Sequence, residues 1–235
     1  MLQSVPGTLA KNHASASHAS TSWAKDAYVP VALELLAGSG TRITVKRGQE
    51  IFAEGASAET CYRLVDGSVR LVKLMADGRR QVCEFVKAGD LLGFETDEEH
   101  YFSAEAVRDC TLIRYPRRAV ETLLADDKAF ARHVRQITAR GLQDAYQRMV
   151  LLCHKSAQER IAWFLLEMAD GAENEGGSIF LPMTRTDIAN YLGMAIETVS
   201  RVLGQFKQNG AIEQKSLNRI QVMDRDALEA VRGEV

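Results

Sequence analysis

The 235-residue sequence lacks any apolar run near the roughly 18 residues that a bilayer-spanning helix needs, and its start lacks a signal-peptide core. Those absences predict a cytoplasmic protein with no membrane partner. A surplus of charge is missing too: the formal net charge is -2, so no global field draws the chain onto polyanions. The four cysteines, Cys61, Cys83, Cys110 and Cys153, form no Cys-x-x-Cys pair and show no metal-ligand spacing with histidine. They read as buried free thiols in a reducing compartment. Histidine is equally sparse. A cupin-like enzyme converges two or three histidines and a glutamate on a metal, whereas His100 stands alone between residues 41 and 115. No catalytic, metal or cofactor site is expected, and the chain reads as a non-enzyme.

What is present is ordinary in bulk, with 46% hydrophobic and 26% charged residues, and long enough for one large domain or two modest ones. Residues 1–28 are rich in Ser, Ala and His and read as a flexible lead. Residues 29–125 form a first domain. From Thr41 to Tyr115, short alternating runs are broken by the turn pairs Asp66-Gly67 and Asp77-Gly78. Many short antiparallel strands suggest a closed roll, filled by Ile51, Leu64, Val69, Leu71, Val82, Phe85, Leu112 and Ile113.

After Pro116 the period changes to that of helices. Asp126 and Asp127 can cap a long one, and residues 126–153 read as a single helix of about seven turns. Phe130, Val134, Ile137, Gly141, Ala145 and Met149 recur along it three and four apart. Two copies packed along that stripe would bury it, so a homodimer is expected, with Gly141 permitting close approach. Cys153, near the end of the helix, is the thiol singled out for redox control.

Residues 154–235 carry the most informative motif. Ser156 and Glu159 form a capping box for one helix. Further on, Thr184 caps a helix over Arg185–Leu192 with Asp187 in the box position, Gly193 makes a bend, and Ala195 or Ile196 opens a second helix. Val199, Val202, Leu203 and Phe206 pin that second helix inward. Glu197, Ser200 and Arg201 are left three and four apart on its outward face. These side chains suit base edges in a major groove: Arg pairs with guanine, Glu accepts from cytosine, and Ser serves a base or a phosphate. A solvent-exposed helix with a Glu–Arg pair is the plain alternative, and two short helices around a glycine bend make it the weaker one.

Thr184, Arg185, Thr198, Lys207, Lys215 and Arg219 are the candidate contacts to the DNA backbone. From Pro182 to Gln221, five basic residues (Arg185, Arg201, Lys207, Lys215, Arg219) face three acids (Asp187, Glu197, Glu213), a balance of only +2. Strong binding then calls for a second copy. Beyond Gly210 the chain reads as a hairpin wing turning at Ser216 to Asn218, closed by a short helix.

This order of roll, long helix and winged helix-turn-helix resembles the Crp/Fnr family of bacterial transcription regulators over residues 30–230. The resemblance rests on GSVRLVK and GDLLGF in the roll, AQERIAWFLLEMA after the long helix, and LPMTRTDIANYLGMAIETVSRVLGQFKQNGAI. The last is similar to the Fnr and FixK branch, whose motif Glu-x-x-Ser-Arg falls on Glu197, Ser200 and Arg201. It implies an α+β fold: an N-terminal cyclic-nucleotide-binding-like β-roll, a dimerisation helix and a C-terminal winged helix-turn-helix. It also implies a homodimer on double-stranded DNA, at a palindrome close to TTGAT and ATCAA separated by four base pairs. Members mostly activate transcription by contacting RNA polymerase.

The departures narrow the reading. Members that bind cyclic AMP hold its phosphate with an Arg-Ser pair, and here Phe102 and Ser103 stand in that place. Glu95, Asp97, Glu98 and Glu99 crowd the same loop with negative charge, although Glu95 suits part of the family's glutamate role. Oxygen-sensing members ligate an iron–sulfur cluster with N-terminal cysteines and one in the roll. Residues 1–60 contain no cysteine, and the roll position falls on Ile113 rather than Cys110. Haem-sensing relatives keep a roll histidine, whereas His100 reads as a surface residue. What remains is a FixK-like activator without cofactor, serving microaerobic, denitrification or nitrogen-fixation genes. A repressor, or a regulator with a small molecule in the roll, is the alternative left open.

Overall fold

The computed structural model describes residues 38–94, 97–171 and 178–233. The expected lead over residues 1–28, and the loop acid Glu95, lie outside the described residues. The first domain opens with β1 (Thr41–Val45), β2 (Glu50–Phe52), β3 (Thr60–Asp66) and β4 (Ser68–Leu74). It continues with β5 (Arg80–Lys87), β6 (Leu91–Leu92), β7 (Ser103–Ala106) and β8 (Cys110–Pro116). These strands form two antiparallel sheets, β1-β8-β3-β6 and β2-β7-β4-β5.

Strand side chains alternate between faces, and both faces of this roll are covered, so the predicted interior divides into three packing groups. Leu64, Val69 and Leu112 point inward beside Phe52, Tyr62, Val86 and Leu92, with Ile51 and Leu71 at the margin. Ile113, one residue out of phase with Leu112, instead packs outside the roll with Cys61, Tyr115 and the first helices. Val82 and Phe85, expected inside the roll, instead belong to the core of the C-terminal half. The pairing of β4 with β5 skips Cys83, since Leu71 faces Glu84 while Val72 faces Val82. That bulge shifts the alternation and returns Val82 to the outer face that carries Phe85.

Two helices follow, α1 (Arg117–Asp126) and α2 (Lys128–His154). The Asp127 carboxylate caps α2, accepting from the N–H groups of Ala129 and Phe130 at 2.8 and 2.9 Å. Among the described residues no helix is long and apolar enough to cross a membrane. The C-terminal half comprises α3 (Ala157–Gly171), β9 (Ser178–Phe180), α4 (Arg185–Leu192) and α5 (Ile196–Gln208). It ends with β10 (Ile212–Ser216), β11 (Arg219–Val222) and α6 (Arg225–Arg232). Ser156 and Glu159 form the expected reciprocal cap on α3. Hydrogen bonds to its carboxylate, first from the Ser156 side chain, then from the Ser156 N–H and the Lys155 ammonium, bring the Glu159 carboxyl down to about 2.

His100 is not the surface residue the sequence suggested. It is buried and stacks on Phe52 with ring centroids 3.8 Å apart. Its backbone is tied on both sides, donating to Ala56 and accepting from Gly55, so the loop folds inward and carries the ring with it.

The stripe on α2 also divides. Phe130, Val134 and Ile137 are buried in their own chain against α1 and the outer face of β3 and β8. Contrary to the expectation for the whole stripe, these three are not open to a partner, because α1 and the roll already cover them. Phe130→Ala is expected to lower stability by about 3–5 kcal/mol, the cost of emptying a closed core site, measured by urea denaturation. A loss below about 1 kcal/mol would contradict this intrachain packing.

Candidate nucleic-acid interface

The paired helices form for local reasons. The Thr184 hydroxyl accepts from the Asp187 N–H at 3.1 Å, and the Asp187 carboxylate accepts in return from the Thr184 N–H at 2.9 Å. This box starts α4. Gly193 ends it in the left-handed region, at φ 60° and ψ 47°, which costs glycine nothing and lets the chain turn sharply. Ala195 precedes α5 without any side-chain cap, so the first N–H groups of that helix have no side chain closing over them.

Helix α5 buries Val199, Val202, Leu203 and Phe206, as its spacing predicted. Glu197, Ser200 and Arg201 lie exposed on the opposite side, and Gly204 and Lys207 continue that exposed face. Thr198 is half-buried. The three predicted base-reading side chains thus share one surface, brought together by a single helix rather than by the tertiary fold.

The flanking residues are more engaged than expected. The Thr184 hydroxyl also donates to Asp187 at 2.7 Å. Arg185 is half-buried, its Nη1 has no hydrogen-bond partner, and burial lowers its pKa. In the wing, Lys215 pairs with Glu213 at 2.7 Å, while the Arg219 guanidinium lies 5.6 Å from the Phe180 ring. Strands β10, β11 and β9 form the antiparallel wing sheet in that order, and Leu217 stands exposed at its tip.

Three arginines that sequence reasoning passed over hold α4 in place. From β4, Arg70 Nη1 meets Asp187 Oδ1 at 2.5 Å; the same guanidinium binds Glu105, which Arg80 also contacts. Burial opposes the charge on Glu105, but Arg80 and Arg70 outweigh it and keep the carboxyl below its usual range. From α2, the Arg148 guanidinium lies 5.0 Å from the Tyr191 ring and donates to the Cys83 carbonyl. From α3, Arg160 donates to the carbonyls of Leu192, Leu152 and Lys155 at 3.0, 2.8 and 2.9 Å. Phe85 completes the contact, its ring 5.0 Å from that of Tyr191, whose phenol burial pushes up to about 12. A signal was present, since Arg70 interrupts an apolar strand and Arg160 an apolar helix face. Their partners lie 117 and 32 residues away, beyond the reach of local pattern.

Farther along α2, Gly141, Ala145 and Met149 of the predicted stripe are exposed, joined by Leu142, Tyr146 and Val150. Cys153 is exposed at the same end. Of the other thiols, Cys61 and Cys110 are buried and Cys83 is half-buried.

Residues 42–127 match the cyclic nucleotide-binding domain, and residues 159–231 match the Crp-like helix-turn-helix domain. The chain is 40% identical over 199 residues to the nitrogen fixation regulation protein FixK of Azorhizobium caulinodans, covering 83% of this chain and 80% of that one. It is 36% identical over 195 residues to FixK of Rhizobium meliloti, covering 82% and 89%. The solved structure of FixK2 from Bradyrhizobium japonicum has the same fold, with a TM-score of 0.80 at 36% identity over 83% of this chain and 98% of that one.

The roll shares the fold of a nucleotide-binding domain, but its residues do not suit the nucleotide. Its interior is filled by Phe52, Tyr62, Leu64, Val69 and Leu112. Phe102 packs edge-on against Tyr101 at 4.7 Å and offers no donor to a cyclic phosphate. The Ser103 hydroxyl accepts the Glu54 N–H at 2.9 Å.

Arg70→Met tests the link between roll and helix pair. Because Asp187 is buried and Arg70 nearly so, the change is expected to cost about 3 kcal/mol, the lower end for breaking a buried ion pair. Chemical denaturation measures it, and a loss below about 1 kcal/mol would mean that Thr184 alone satisfies the carboxylate.

Proposed function

Because the chain belongs to the Crp/Fnr family of transcription regulators, in its FixK-like branch, we propose that it binds a palindromic promoter site as a homodimer. One observation carries the proposal: Glu197, Ser200 and Arg201 lie exposed on one face of a helix whose opposite face is buried. A major groove about 12 Å wide admits such a helix. Arg201 then reads guanine through two hydrogen bonds, Glu197 accepts from cytosine, and Ser200 serves a base or a phosphate. Thr184, Arg185, Thr198, Lys207, Lys215 and Arg219 flank this face as backbone contacts, which fix register without reading sequence. Lys215 exchanges Glu213 for a phosphate in this reading.

The second copy supplies the dyad. Leu142, Ala145, Tyr146, Met149 and Val150 are spaced three and four apart on the exposed side of α2, headed by Gly141. Burying this stripe against its twin sets two α5 helices facing successive major grooves about 34 Å apart. Cys153 lies at the end of the stripe, where oxidation would alter the dimer surface.

The FixK relatives are named for the regulation of nitrogen fixation. We assign this chain to the same class of genes, with microaerobic and denitrification genes beside it, as an activator that touches RNA polymerase. Neither a cyclic nucleotide nor an iron–sulfur cluster is required.

Fluorescence anisotropy of the purified protein, without additives, on a duplex of TTGAT and ATCAA separated by four base pairs tests the reading. Selective binding over a scrambled duplex is expected; equal affinity for both would overturn it. Arg201→Ala should cost about 1–3 kcal/mol per half-site and relax selectivity at the base it reads. Undiminished selectivity would remove Arg201 from the role. Tyr146→Glu should shift sedimentation from dimer to monomer and abolish binding to the full palindrome. A variant that stays dimeric would place the interface elsewhere.

A further inference from the structure

Helix α5 carries a glycine where its own fold has no use for one. Gly204 is the ninth of the thirteen residues of Ile196–Gln208, well inside the helix, where glycine is the poorest former after proline. Three ordinary reasons for a helical glycine fail here. Its φ is not positive, so no left-handed geometry demands it. It is not a cap, since the helix continues to Gln208 with Asn209 as its C-cap. A Cβ added to it would meet nothing within 4 Å, so no neighbour in the chain needs the space.

Its position supplies a reason. Gly204 lies three residues after Arg201, four after Ser200 and seven after Glu197, spacings that put all four on one helix face. Lys207 follows three residues later on the same exposed side. Along the axis, Gly204 stands about 4.5 Å beyond Arg201 and about 10.5 Å beyond Glu197. A recognition helix that enters the groove by its N-terminal turns passes the groove wall with its later turns. The groove wall is sugar and phosphate.

We propose that Gly204 is a positioning residue: the DNA backbone closes directly onto α5 there, and the missing side chain sets how deep Glu197 and Arg201 reach. This rests on the DNA-reading role of α5 given above. Lys207, one turn on, neutralises the phosphate run that approaches. A side chain at 204 would lift the helix outward and lengthen every base contact on the N-terminal side, while leaving the free protein better folded.

The opposite signs of those two effects make the test. Gly204→Ala and Gly204→Gln are compared with the native chain by thermal melting and by anisotropy on a duplex recovered from a random-sequence pool by the native protein. Both variants should melt higher, by about 1–4 °C. Selective binding should weaken by about 5- to 150-fold, the equivalent of losing one bidentate base contact, with Gln worse than Ala. Affinity for scrambled duplex should change little. Variants that bind the selected duplex as tightly and selectively as the native chain overturn the proposal and leave the DNA-reading role standing. If the variants melt lower and bind worse, the glycine serves the fold and the proposal also fails. A native protein that enriches no sequence from the pool overturns the DNA-reading role itself, and this inference with it.

Discussion

The Asp187 carboxylate is the joint on which the arrangement turns. One oxygen closes the cap on α4, accepting from the Thr184 backbone and hydroxyl; the other receives Arg70 from the roll. A single buried charge therefore starts the first helix of the pair and also fixes its orientation against the other domain. Hydrogen bonds to an ionised group are about twice as strong as neutral ones, and burial shields them from salt. Arg148 and Arg160 brace the same helix from α2 and α3, so the exposed face of α5 inherits its direction from three elements outside the helix pair.

That bracing links the surface proposed to read DNA to the surface proposed for pairing. Arg148 contacts α4 and β5 from the stretch of α2 that also exposes Leu142, Tyr146, Met149 and Val150. In the proposed dimer, a shift of α2 against its twin would move Arg148, and with it Tyr191 and the helix pair. The two mid-helix glycines fit the same picture. Gly141 and Gly204 each stand exposed with open space where a Cβ would lie. Each weakens its helix, and each marks a face that the folded chain leaves uncovered.

Much of this was legible from residues in order. The turn pairs, the caps at Asp127, Ser156 and Thr184, the bend at Gly193 and the inward set of α5 are local, governed by hydrogen bonds and periodicity across three or four residues. Glu197, Ser200 and Arg201 share a face for the same reason. Packing across elements was not legible. Phe130, Val134 and Ile137 read like the rest of their stripe, because spacing reports that a face is apolar and not what covers it. Val82 and Phe85 read as roll interior, because the bulge at Cys83 and the helix pair seated outside β5 exist only in the assembled fold.

By itself, the sequence determined the elements, their order, the family resemblance and the chemistry offered by the exposed face of α5. All of these follow from short-range backbone and side-chain preferences. Only the tertiary structure decided which apolar faces are used up within one chain and which remain open. It alone joined Arg70 to Asp187 across 117 residues and turned His100 inward onto Phe52. Burial is a property of what comes to lie against a side chain, and the chain order does not carry that information until the layers have closed.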